Sequence, residues 1–186
     1  GGVPRLENLI AEINEEMLRK IKENGETKGY DVDEEEAVKT AKIVGLAAIK
    51  YGDLSNQPAK DYVFDVDRFT SFEGDTGPYI LYTIVRMRSI LQRYLAEEGA
   101  TAPAELAPGV PASDVEKKLM MDLAGFNAMM EGAYADLAPH RVCAYIYQVS
   151  NDFNSFYHST RILTEKDREQ KESWIALLCL TERVLS

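Results

Sequence analysis

The sequence predicts an all-α protein, a helical bundle with no sheet of more than two strands. Apolar residues recur every three or four positions through most of the 186 residues, and residues 5–24 are a clear example. Glycine, proline, serine and aspartate fall between these periodic stretches, where helices begin and end. Turn-bounded runs of β-branched residues, which are typical of strands, are missing.

Start and stop signals set the bounds of each expected helix. Gly25 ends the first helix and Asp33 caps the second. Ser113 with Glu116 forms a capping box before a later helix, which Gly132 interrupts. The expected helices are 5–24, 34–50, a short turn at 67–69, 77–98, 114–131, 136–158 and 165–185, with irregular chain over 26–32, 56–71 around that turn, and 100–111.

Charge and composition limit the classes of function. The net charge of −10 argues against generic nucleic-acid binding, which favours a basic domain, but Arg86, Arg88 and Arg93 share one expected helix and leave room for a local site. No apolar run approaches the roughly 20 residues of a membrane span, and no signal segment opens the chain. Cys143 and Cys179 lie in apolar patterns, so we expect buried free thiols and a cytoplasmic location.

Groups suited to catalysis or metal binding are not clustered in the sequence. His140 and His158 lie 18 residues apart without a neighbouring cysteine, so we expect structural roles for both and no metal site. Asp65 and Asp67 form either a carboxylate pair or a cap for the adjacent short helix. A phosphate-binding loop and strand–helix alternation are also missing. We therefore expect no catalytic residues and no cofactor in this chain.

The most informative stretch is FEGDTGPYILY at 72–82, a tight turn that leads into a helix. Gly74 and Gly77 permit positive φ. Asp75 or Thr76 is suited to cap the helix, and Pro78 suits its first position.

The helix that follows this turn carries aromatic and basic groups on one face. Tyr79, Tyr82, Arg86 and Ser89 recur at i, i+3, i+7 and i+10. One interpretation is a core helix whose tyrosines pack inside, because aromatic stripes are usually buried. The other is a surface on which unpaired RNA bases stack, with the guanidinium contacting base edges.

A second cluster, NDFNSFY at 151–157, allows a similar choice. Phe153 and Tyr157 share one helical face, as do Asn154 and His158. Either the aromatic residues are core and Asn154 satisfies a buried carbonyl or faces water, or the cluster supports a neighbouring binding site.

Both strings resemble the anticodon-binding domain of arginyl-tRNA synthetases, which reads G-[DN]-T-[GA]-P-Y-x-Q-Y-A-H-[AS]-R-x-x-S and, later, F-N-x-F-Y. The chain departs from the first pattern at Leu81, Thr83 and Ile84. The segment 50–79 resembles the family's entry into that domain, and 1–13 resembles the stretch after its KMSKS-like loop. Neither a HIGH-type nor a KMSKS-type motif occurs here. The resemblance therefore implies a fragment of a larger enzyme, inactive by itself.

The resemblance implies two domains: a helical connector over 1–58, which follows a catalytic domain, and an anticodon-binding bundle over 59–186, truncated at its C-terminus. It implies an arginine-specific tRNA as partner, no DNA or membrane, and a monomer. ATP and Mg²⁺ would serve the parent enzyme alone. The implied tRNA-binding residues are Gly74, Asp75, Thr76, Gly77, Pro78, Tyr79, Tyr82, Arg86, Ser89 and Asn154.

The alternative from another class is a non-enzymatic helical module that binds a protein partner. Exposure separates the two, because Tyr82 and Arg86 should be accessible in an RNA site but buried or salt-bridged in such a module. A stand-alone helical enzyme is disfavoured, because the sequence groups no catalytic residues.

Overall fold

The computed structural model describes residues 5–28, 33–58 and 60–186, and every regular element in these ranges is helical. The predicted all-α fold is thus confirmed. The α-helices are α1 (Leu6–Lys28), α2 (Glu34–Leu54), α3 (Val66–Phe69), α4 (Gly77–Leu95), α5 (Asp114–Ala124), α6 (Phe126–Ala135), α7 (Pro139–Ser159) and α8 (Arg168–Leu185), with short 3-10 helices at Pro103–Glu105 and Ile162–Thr164.

The chain divides into two compact units, Gly1–Leu81 and Tyr82–Ser186. The domain boundary expected between 58 and 59 stays a prediction, and residue 59 lies outside the described residues, as do 1–4 of the opening string and 29–32 of the expected first loop. Among the described residues, no helix is both long and apolar enough to span a membrane.

The first unit is built on the pairing of α1 with α2. Its core joins Ile13 and Met17 of α1 to Ala41, Val44 and Ala48 of α2. The small residues of α2 allow the two helices to approach closely. Full burial of side chains such as Ile13 and Met17 contributes roughly 1.5–3 kcal/mol each.

The second unit surrounds α7, which contacts α5, α6 and α8. Phe153 and Phe156 of α7 are fully buried, together with Leu119 of α5 and Leu177 of α8. The indole of Trp174 meets the Phe156 ring edge-on, with their centroids 6.5 Å apart. This core fixes α7 and determines which of its side chains reach the surface.

Several expected helix bounds are wrong. The second helix continues to Leu54 instead of ending at 50, and the helix expected over 77–98 ends at Leu95. The first helix continues past Gly25, which is buried within it, to Lys28. The break expected at Gly132 falls at Gly125, where α5 ends and α6 begins. The last helix starts at Arg168, after Asp167 caps it through the amides of the next turn. A glycine inside a helix costs only about 1 kcal/mol, so packing decides which glycine ends one.

Candidate nucleic-acid interface

Thr76 is the residue that caps α4. Its hydroxyl accepts a hydrogen bond from the Tyr79 amide at 3.2 Å and donates one to the Ser71 carbonyl at 2.6 Å. Thr76 is buried, so this pair of bonds fixes the turn against the start of the helix. Asp75 has a different role, because its carboxylate accepts a hydrogen bond from the Tyr51 hydroxyl.

The two glycines of the turn serve different purposes. Gly74 has φ of 79°, in the left-handed region that glycine adopts without strain. Gly77 does not use the positive φ that glycine permits, and instead opens α4. A Cβ atom there would lie 2.3 Å from the Ala47 carbonyl oxygen, so Gly77 is needed for space. Pro78 consequently occupies the second helical position rather than the first.

A cluster of five side chains forms around Arg86 in the second unit; we call it the Arg86 cluster. The guanidinium lies between the rings of Tyr82 and Tyr157, 5.0 Å from each centroid. Its Nη1 donates a hydrogen bond of 2.5 Å to Oδ1 of Asn154. The Asn154 Nδ2 donates in turn to Oγ1 of Thr83 at 3.2 Å. Both rings and the amide therefore hold the guanidinium in one orientation.

The Arg86 cluster has a buried base and an accessible outer side. Thr83 and Asn154 are buried, Arg86 and Tyr157 are half-buried, and Tyr82 is 45% exposed. Within the described residues, no carboxylate forms an ion pair with Arg86. The positive charge is thus uncompensated beside an exposed aromatic ring, an arrangement suited to a base or a phosphate.

The expected site residues are distributed over both units. Tyr82, Arg86 and Asn154 meet in the second unit, where Ser89 lies exposed on α4. The residues from Gly74 to Tyr79 belong to the first unit. Within that range, Gly74 and Asp75 are exposed, Tyr79 is half-buried, and Thr76, Gly77 and Pro78 are buried.

Sequence reasoning missed two members of the Arg86 cluster, Thr83 and Tyr157. Thr83 stands where the family pattern has alanine, and its hydroxyl holds the Asn154 amide. Tyr157 belongs to the F-N-S-F-Y string, whose regular spacing indicated packing rather than contact with an arginine. At the other departures from the pattern, Ile84 is buried and Leu81 packs against the core of the first unit.

The aspartate, histidine and cysteine residues that the sequence singled out are not part of the Arg86 cluster. Asp65 accepts a hydrogen bond of 3.0 Å from the Arg68 amide and caps α3, as one interpretation predicted. His140 carries a buried Nδ1 without a partner among the described residues. Cys143 is buried as expected, whereas Cys179 is only half-buried. Partial burial raises the pKa of the Cys179 thiol, which disfavours the reactive thiolate.

Comparison with known proteins finds a matching family profile for each of two parts of the chain. The family profile of the DALR anticodon binding domain matches residues 80–186, and that of the catalytic domain of class I (R) tRNA synthetases matches residues 1–66. The arginine–tRNA ligase of Agathobacter rectalis is 57% identical over 100% of this chain, which spans 31% of the relative. The enzyme of Alkaliphilus oremlandii is 52% identical over 100% of the chain and 30% of the relative.

Solved structures agree with these relatives. The arginyl-tRNA synthetase of Thermus thermophilus matches 100% of this chain, over 30% of its own, with a TM-score of 0.81 and 26% identity. That of Plasmodium falciparum matches 98% of this chain, over 31% of its own, with the same TM-score and identity. These matches support the anticodon-binding interpretation and not the protein-interaction module. The chain therefore belongs to the arginyl-tRNA synthetase family, and its residues 80–186 form a DALR anticodon binding domain.

Proposed function

We propose that this chain binds the anticodon arm of an arginine tRNA and that the Arg86 cluster contacts unpaired bases of the anticodon loop. The observation that carries the proposal is the Arg86 guanidinium, which lies between two tyrosine rings without an acidic partner among the described residues. Single-stranded RNA is recognised by aromatic and arginine planes on which bases stack, and by donors that contact base edges.

The chemistry of the Arg86 cluster suits this task. A guanidinium has five N–H donors, and the bond to Asn154 uses one of them. The others serve a base edge or a phosphate. The exposed ring of Tyr82 offers a face for stacking, which stabilises bound single strands by about 1–3 kcal/mol per base. We also propose RNA contacts for Ser89 and for the turn from Gly74 to Tyr79.

The charge of the whole chain makes short-range contacts decisive. A net charge of −10 repels a phosphate backbone at long range, so electrostatic steering does not favour binding. The free energy of binding must therefore come from stacking and hydrogen bonds at the site, which also distinguish one base from another. Selectivity for the anticodon sequence follows from such contacts.

For the longer protein, we propose ATP-dependent attachment of arginine to its tRNA, because the relatives are arginine–tRNA ligases. This chain would supply no catalytic residue to that reaction. Its described residues contain no group of three His, Cys, Asp or Glu side chains suited to a metal. ATP and Mg²⁺ would act elsewhere in the longer protein. We further propose that the chain is monomeric and cytoplasmic.

The direct test is a titration of the chain with labelled RNA hairpins, followed by fluorescence anisotropy. One hairpin carries an arginine anticodon, a second carries a changed anticodon, and a DNA hairpin of the same sequence serves as a further control. We expect the arginine hairpin to bind most tightly. Arg86→Ala should weaken its binding by roughly tenfold to a hundredfold, since a charged hydrogen bond contributes about 1.5–3 kcal/mol. Arg86→Lys should retain only part of the affinity that Arg86→Ala loses, because lysine lacks the planar, forked arrangement of donors that arginine has.

Arg88→Ala is the matched control for this titration. Arg88 lies on the same helix and carries the same charge, but its Nε donates to Glu182 at 2.7 Å and it is exposed. A general charge effect would reduce binding equally in both variants. Equal losses for Arg86 and Arg88, or equal binding of the two anticodons by the unchanged chain, would contradict the proposal.

A further inference from the structure

A groove of about 440 Å³ lies beside the Arg86 cluster, within the second unit. Tyr157 lines this groove and also stacks on Arg86, so the groove and the cluster share one ring. Its floor includes buried aliphatic side chains, and its rim is formed by the end of α7, the following 3-10 helix and the later turns of α4. The groove is therefore within reach of an RNA strand that stacks at the cluster.

The groove is basic although the chain is acidic. Arg93 of α4 and Arg161 after α7 line it, both are exposed, and no acidic residue is among its lining side chains. Neither arginine forms an ion pair within the described ranges, whereas Arg88 pairs with Glu182 at 2.7 Å. Two uncompensated arginines in one groove indicate an anionic ligand.

The remaining polar residues of the groove are also suited to a phosphate. Thr160, Thr164 and the exposed His158 also line the groove, and the Thr164 hydroxyl donates to the Arg161 carbonyl at 3.4 Å. Phosphate oxygens in RNA complexes are bound by arginines together with such hydroxyls. Basic grooves next to aromatic stacking surfaces are the usual arrangement in proteins that bind single strands.

We infer that Arg93 and Arg161 bind a backbone phosphate of the same RNA strand whose bases contact the Arg86 cluster. The inference rests on the proposed function and assigns separate roles to the Arg86 cluster and the groove. The Arg86 cluster reads base identity, whereas the groove holds the backbone and fixes the register of the strand. Phosphate contacts carry no sequence information, so loss of the groove should weaken every RNA hairpin by the same factor.

The test compares the double variant Arg93→Gln/Arg161→Gln with the unchanged chain, using the arginine and changed-anticodon hairpins at several salt concentrations. We expect both dissociation constants to rise roughly tenfold, the size expected for a lost charged hydrogen bond. The slope of log affinity against log salt should become shallower by about 0.7 for one phosphate released. Discrimination between the two anticodons should not change.

Two further double variants serve as controls for the position and the charge of the two arginines. Arg88→Gln/Arg183→Gln removes the same charge from exposed positions outside the groove and should alter the salt slope less. Arg93→Lys/Arg161→Lys retains the charge and should recover the slope. Far-ultraviolet circular dichroism checks that each variant is folded.

The outcomes separate the two proposals. If the groove variant keeps the unchanged chain's affinity and salt slope while anticodon discrimination persists, the groove inference is overturned and the proposed function stands. A loss of discrimination without a change in slope also overturns the groove inference, because the groove would then read bases. Absence of hairpin binding by the unchanged chain overturns both.

Discussion

Arg86 of α4 and Asn154 of α7 lie 68 positions apart in the sequence, yet one hydrogen bond of 2.5 Å joins Nη1 of the arginine to Oδ1 of the asparagine. The Asn154 nitrogen donates to Thr83, so the amide oxygen is held toward the guanidinium. An amide accepts this bond without neutralising the arginine. A carboxylate in the same place would form a salt bridge and reduce attraction for an anionic ligand.

Asn154→Asp tests whether this neutral partner matters. We expect the variant to fold, because aspartate has the shape of asparagine and its carboxylate can pair with the Arg86 guanidinium. Binding of the arginine hairpin should weaken roughly tenfold, because the Arg86 charge is compensated. Ser155→Asp adds the same charge at an exposed neighbouring position and should have a smaller effect. Equal effects of the two changes on the dissociation constant would show that the pairing with Arg86 is irrelevant.

Tyr82 should act through its ring and not its hydroxyl. We expect Tyr82→Phe to retain hairpin affinity and Tyr82→Ala to lower it about tenfold, since stacking of one base contributes on the order of 1–3 kcal/mol. Thermal stability should change little in either variant, because the side chain is 45% exposed. Tyr134→Ala, on α6 at 82% exposure, is the control. Comparable losses from Tyr82→Ala and Tyr134→Ala would exclude a specific stacking role.

The helices were predictable because their causes are local. Side-chain periodicity and capping both act within one or two turns, and the expected caps at Asp33 and Ser113 each accept a hydrogen bond from the amide three residues on. The break at Gly125 was not predictable in this way. Gly125 and Gly132 both lie in apolar helical sequence, so the local pattern does not distinguish them, and the helices on both sides of Gly125 pack against α7.

The Arg86 cluster was predictable only in part, because it also depends on packing between helices. Spacing of three and four residues placed Tyr82 and Arg86 on one face of a helix, and they do share it. Spacing within one helix says nothing about which residues of another helix reach that face. The Thr83–Asn154 bond crosses 71 positions, and Tyr157 reaches Arg86 from α7. Such contacts depend on how α4 packs against α7.

Gly77→Ala should destabilise the chain more than Gly74→Ala does. A Cβ at 77 would meet the Ala47 carbonyl oxygen at 2.3 Å, and backbone cannot yield as a flexible side chain does. Nothing lies within 4 Å of a Cβ at 74, so the cost there is limited to strain at φ of 79°, about 1–2 kcal/mol. Thermal melting monitored by circular dichroism compares the two variants. A smaller loss for Gly77→Ala would mean that α2 and α4 adjust freely at this contact.

Two aspartates in the second unit should give a pH-dependent stability. Asp152 is held charged, because it contacts Lys118 and accepts a hydrogen bond of 2.7 Å from Gln148. Burial, together with the neighbouring Asp152, raises the pKa of Asp122 from 3.8 to about 6. As pH rises from about 4 to about 6, the unfolded chain releases the Asp122 proton before the folded chain does. Stability from this group therefore falls over that range.

Asp122→Asn removes the titrating group while keeping an amide that can donate to Asp152. We expect a higher melting temperature than that of the unchanged chain at pH 7, by about 2–4 °C for each kcal/mol gained. The advantage should shrink as pH falls through 6 and vanish only below about 3, where the aspartate is protonated in the unfolded chain as well. Glu131→Gln removes an exposed charge from α6 and should show no such trend. An advantage that is constant from pH 4 to pH 7 would mean that Asp122 does not carry a raised pKa, and that repulsion within the acidic chain accounts for the stabilisation.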